Sequence, residues 1–185
     1  VVTPVRVGLD GISRTEAARV FGDLVSTAEG SLVLRTLAGD LVVVDGSAPA
    51  DAVAVRAAGS GNILMEAVGA GTSISLIADV RSTSGSISIV AAQNVSTVGS
   101  ASIRTGGAGS IEVEAVAGSV TLSTASDQIA DSGDIRLAAG QNVTLGGVAR
   151  TSGTVSVVEA LRDDFRRDGP QIVVHDKIHR VNFGN

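Results

Sequence analysis

The chain has 185 residues and a formal net charge of −5; 44% of it is hydrophobic, with 23 Gly, three Phe and no Trp, Tyr or Cys. That length suits one domain with a continuous interior of small aliphatic side chains, and the composition argues against disulfide scaffolds, Cys-based zinc sites and surfaces of stacked aromatic rings. A mean hydropathy of +0.36 argues against disorder, and thirteen Arg and one Lys without a basic run argue against capture of nucleic acid.

From Val1 the chain shows no signal-peptide pattern and no starting Met, so it is expected to belong to something longer. Ser13-Arg14-Thr15-Glu16, followed by Ala17, Ala18, Val20 and Phe21, predicts a capping box opening a short helix that stops near Gly22. Residues 1–29 are therefore expected to form an amino-terminal cap with a short helix.

A repeat dominates residues 30–158. Gly-x-apolar steps recur at Gly61/Ile63, Gly85/Ile87, Gly109/Ile111 and Gly133/Ile135, each 24 residues from the last. A second apolar triplet follows at Ile74-Ser75-Leu76, Val95-Ser96-Thr97, Val120-Thr121-Leu122 and Val143-Thr144-Leu145. A third is expected around Val80, Ile103, Ile129 and Val148. An earlier unit aligns at Gly30-Ser31-Leu32 and Gly39-Asp40-Leu41, with a third strand at Val53-Ala54-Val55 and surplus residues in a loop near Asp45 to Asp51. A last unit begins at Gly153-Thr154-Val155.

Three triplets cannot bury an apolar face alone, but stacked about 4.8 Å apart they close a column of Ile, Val and Leu. The predicted fold is thus all-β: a right-handed parallel β-helix, three short strands per coil of about 24 residues, with short helical or irregular caps. Ile111-Glu112-Val113-Glu114-Ala115 alternates aliphatic inward with carboxylate outward, and Arg136 should sit one rung from Glu112. An antiparallel sandwich is the competing fold, but it gives no reason for a constant period and would want more two-residue hairpin turns. Beyond the repeat, Val157 to Asp168 reads as a charged helix ended by Gly169-Pro170, and Ile172-Val173-Val174 and Ile178 to Phe183 read as strand. Residues 159–185 are expected to be a helix and strand cap or a linker to further sequence.

Gly61-Asn62-Ile63-Leu64-Met65-Glu66-Ala67, Gly85-Ser86-Ile87-Ser88-Ile89-Val90-Ala91-Ala92-Gln93-Asn94-Val95 and Gly133-Asp134-Ile135-Arg136-Leu137-Ala138-Ala139-Gly140-Gln141-Asn142-Val143-Thr144-Leu145 resemble the repeats of filamentous-haemagglutinin-type surface proteins and of large repetitive bacterial exoproteins. The resemblance implies a right-handed β-helix in an exported bacterial rod, secreted or at the cell surface, that displays adhesive regions. Outer walls of mostly Ser, Thr, Ala and Val, with no Asp cluster beside Arg or Lys in successive coils, lead to the expectation of no catalysis and no cofactor. Expected partners are the rest of a longer chain or copies stacked end to end, and a host or surface glycan; nucleic acid and a membrane span are not expected.

The chemical alternatives begin with a carbohydrate-binding or polysaccharide-cleaving β-helix, which needs carboxylates beside a base on one wall. The acidic corner Asp127, Asp131 and Asp134 is the candidate calcium site, because hard cations take several oxygen ligands; solvated corner residues are the competing reading. His175 and His179 share a strand face with Lys177 between them, and two imidazoles can begin a metal site, yet no third ligand is evident unless Asp176 turns toward them. The outward rank Ser75, Ser96, Thr121 and Thr144 raises ice binding as a third alternative, although the ranks beside it are mixed. Gly59-Ser60-Gly61 and Gly109-Ser110-Ile111 read as corners rather than nucleophile elbows, and the sequons at Asn94 and Asn142 likewise.

Overall fold

A computed structural model describes the backbone of residues 5–7, 13–15, 23–46, 51–159, 173–174 and 178–182, and the side chains of 23–46 and 51–157. Within these residues the chain is a parallel β-solenoid with three walls. The first wall stacks Leu32–Thr36, Ile63–Ala67, Ile87–Ala91, Ile111–Ala115, Ile135–Ala139, Val155–Glu159 and Ile178–Asn182, in that order. The second stacks Leu41–Val43, Ile74–Leu76, Val95–Thr97, Val120–Leu122 and Val143–Leu145. The third stacks Leu24–Ser26, Val53–Ala57, Asp79–Ser82, Ile103–Thr105, Gln128–Ala130, Ala149–Thr151 and Val173–Val174.

The vertical line anticipated from the 24-residue step is present. Ile63 pairs with Ile87, Ile87 with Ile111 and Ile111 with Ile135, all in register and at most 1% exposed. The strands of Ile63, Ile87 and Ile111 bury alternate residues, because a pleated strand sends successive side chains to opposite faces; that of Ile135 also buries Ala138. Each fully buried Ile or Leu contributes about 1.5 to 3 kcal/mol, so the column carries the stability. At the low-numbered end Leu32, Leu34 and Leu41 are only partly buried against it.

Several expectations need correction. Ser13–Thr15 does not open a helix; it is a strand paired antiparallel with Val5–Val7, Arg14 opposite Arg6. A capping box is a local signal, and here strand pairing overrides it. The remainder of that expected helix, residues 16–22, lies outside the described residues. Val157–Glu159 likewise does not start a helix: it completes the strand from Val155, paired with Ile135–Ala139. Residues 160–168 lie outside the described residues. The expected strands beyond them are present at Val173–Val174 and Ile178–Asn182, and they continue the third and first walls.

The third wall is also registered differently. Ile103 pairs with Val80 on one side and Gln128 on the other, and Gln128 pairs with Ala149. Gln128, not Ile129, therefore enters the interior, and Ile129 faces outward beside Arg104 and Arg150. Val148 precedes its strand rather than lying in it. In the first coil a register shift between Val53 and Val55 buries Val53, Ala54 and Val55 together.

Candidate functional site

The three walls carry different chemistry on their outer faces. The first holds ion pairs between coils. Arg136 lies directly across from Glu112, as the alternation predicted, and also reaches Glu114 at 3.0 Å. The hydrogen bond to Glu114, opposed by burial and helped by the charges of both carboxylates, raises Arg136 above the ordinary guanidinium value. Arg35 meets Glu66 at 3.3 Å in the same way.

The third wall stacks Arg56, Arg81 and Arg104 outward in consecutive coils. Like charges one rung apart repel, and a carboxylate stands beside each: Asp51 at 2.8 Å from Arg56, Asp79 at 2.7 Å from Arg81 and Asp127 at 3.4 Å from Arg104. The second wall shows Val42, Ser75, Ser96, Thr121 and Thr144 in one rank, with the Ser96 and Ser75 hydroxyls 3.4 Å apart.

At the corners, side-chain oxygens link one coil to the next. Ser31 accepts the backbone N–H of Asn62 at 3.1 Å, Asn62 that of Ser86 at 2.8 Å, Ser86 that of Ser110 at 3.1 Å, Ser110 that of Asp134 at 3.1 Å, and Asp134 that of Thr154 at 2.7 Å. Asp40, Ser73 and Asn94 do the same for Ser73, Asn94 and Ser119. Asp79, Ser102 and Asp127 do it for Ser102, Asp127 and Val148. Backbone donors need an acceptor, and Ser, Asn and Asp all hold an oxygen within reach of the next rung.

These ladders place the candidate calcium residues. Asp127 and Asp134 each give an oxygen to a backbone N–H of the following coil, and Asp131 accepts from Gly107 at 3.1 Å. Asp127 precedes a third-wall strand, Asp131 follows it, and Asp134 precedes the next first-wall strand. They are not brought within ligand reach of one another; among the described residues, that distinction belongs to Asp23, Asp45 and Asp51, whose oxygens lie within 4.8 Å. The trio follows no repeat spacing, so nothing in the sequence marked it. Gly46 donates to Asp23, Ala52 to Asp45, and Val53 and Arg56 to Asp51. One oxygen of Asp45 is buried without a partner.

His179 lies in the strand Ile178–Asn182, in register with Ser156; His175, Asp176 and Lys177 lie outside the described residues. Asn94 is a corner residue, as expected, and Gly59-Ser60-Gly61 is a corner as well. Among the described residues no helix is long and apolar enough to cross a membrane. No family model, curated protein or solved structure matches the chain.

Proposed function

We propose that the chain is a structural and adhesive segment of a rod in an exported bacterial surface repeat protein, without catalytic activity. The observation that carries this reading is the open stack. On the low-numbered side all three walls end in one coil, on Leu24–Ser26, Leu32–Thr36 and Leu41–Val43. Among the described residues no strand pairs with the outer edges of these three; Val5–Val7 and Ser13–Thr15 pair only with each other. Such edges are templates for another coil, from a longer chain or from a copy stacked end to end. The likeness of the coils to filamentous-haemagglutinin-type repeats supports export and a surface location, with a glycan as the partner.

A rod segment bears load and leaves its ligand intact. Pulled from its two ends, the chain should yield coil by coil, in steps near a coil's length of about 24 residues, roughly 80 Å of contour each. Incubated with a panel of polysaccharides, it should leave them unshortened. Cleavage that disappears in Asp131→Asn or Asp134→Asn would instead make it a polysaccharide-cleaving solenoid. Thermal hysteresis lost in Thr121→Leu would make it an ice binder.

A further inference from the structure

Charge is missing from one side of the solenoid in four consecutive coils, after Asp40 at the corner of the first. Residues 67–78, 91–103, 115–126 and 137–149 contain no Asp, Glu, Lys, Arg or His, in a chain that is 18% charged. Each stretch contains one second-wall strand with the corners on either side of it and the adjoining ends of its neighbours. The same side gathers exposed aliphatics: Leu37, Val68 and Val116 along one corner, and Val44, Ile77 and Val98 along the other, between 41% and 72% exposed. Between the two ridges run Val42 and the small hydroxyl rank of Ser75, Ser96, Thr121 and Thr144.

We propose that this uncharged wall packs against the same wall of a second copy, so that two solenoids lie side by side. The inference is independent of the rod reading. Three arguments select a second copy as the occupant. With a net charge of −5, two copies repel through their other walls, and the face without charge is where approach costs least. A periodic face also matches itself: its rungs are about 4.8 Å apart in both copies, and small side chains let two sheets approach to about 10 Å. Finally, four charge-free rungs and a width of about 20 Å give on the order of 400 Å² per copy, about 800 Å² in total, the size of a weak, reversible contact. Depletion of charge is the usual mark of an interface core.

Sedimentation velocity on the intact chain, from about 1 to 300 µM, tests this against a dissociation constant of roughly 1 to 100 µM. Val98→Lys and Ile77→Lys should each weaken the dimer at least tenfold, while Ser88→Lys on the first wall should leave it unchanged. All three positions face outward, so thermal melts should show each variant folded. Raising the salt to about 0.5 M should not dissociate a contact that holds no ion pairs. A chain that stays monomeric throughout, or a dimer indifferent to Val98→Lys, overturns the proposal. So does a monomer whose binding to lipid vesicles, ice or polysaccharide is lost in Val98→Lys, since the face would then have another occupant.

Discussion

The Ser110 hydroxyl accepts the backbone N–H of Asp134 at 3.1 Å, across the gap between two coils. The contact is one rung of a ladder in which each residue is acceptor to the coil above it and donor to the coil below. Removing one hydroxyl leaves one N–H to the solvent near an exposed corner. We predict that Ser110→Ala costs about 0.5 to 1.5 kcal/mol and that Ser110→Asn, which restores an oxygen as Asn62 does, recovers most of it. Urea unfolding of the two variants checks this, and equal losses would remove the ladder from the account.

Gln128 stands in the aliphatic column between Ile103 and Ala149. Its amide nitrogen donates to the Ser126 hydroxyl at 3.0 Å, while its oxygen is buried with no partner. An orphan carbonyl costs about 1 to 3 kcal/mol, and Met has nearly the same length and volume. We therefore expect Gln128→Met to stabilise the chain by on the order of 1 kcal/mol, read as a raised urea midpoint at constant slope. A destabilised variant would mean that the oxygen has a partner in solution.

Gly133 passes so close to the coil below that a Cβ would fall on the carbonyl of Gly109. Gly39, by contrast, turns a corner at φ of +82° with open space around it. Gly133→Ala should thus cost more than 2 kcal/mol, because rigid backbone must move, whereas Gly39→Ala should cost about 1 kcal/mol from backbone strain alone. Thermal melts that rank the two in the opposite order would contradict the spacing of the coils.

Ile111 and Ser88 are on neighbouring strands but opposite faces, one 1% exposed and the other turned out beside Glu112. Ile111→Asp buries an unpaired charge and should cost several kcal/mol, enough to unfold a marginal domain. Ile111→Val, a graded control, should cost about 0.5 to 1.5 kcal/mol. Ser88→Arg faces the Glu112 carboxylate and should be neutral within about 0.5 kcal/mol. Equal effects of Ile111→Asp and Ser88→Arg would undo the assignment of inside and outside.

The first wall was the most legible part of the sequence, because the inward places of its strands from Ile63–Ala67 to Ile135–Ala139 are apolar in every coil and the step from Ile63 to Ile135 never varies. The third wall was not. Searching for an aliphatic at each inward place selects Ile129, but pairing with Ile103 and Ala149 puts Gln128 inside, and continuity of the backbone ladder outweighs the preference of one side chain. Ser13 and Val157 misled for a related reason. Both carry local helix signals, and both sit where a partner strand was available to capture them. The acidic trio Asp23, Asp45 and Asp51 was hidden because its members follow no repeat spacing. The corner ladders were not legible: Ser73, Asn94 and Ser119 fall in one of the mixed ranks beside the hydroxyl one, and nothing in spacing alone says that each oxygen faces the amide above it.

The stacking of coils along one axis is tested most directly by distances between spin labels on the outer first wall. The chain has no Cys, so pairs can be introduced cleanly, with Leu64 as the fixed site and Ser88, Glu112, Arg136 and Ser156 as partners one to four rungs away. The account predicts separations that grow in equal steps of about 4.8 Å per coil, reaching roughly 19 Å at Ser156. Separations that fail to rise in that order, or a Leu64–Ser88 pair farther apart than Leu64–Ser156, would contradict it.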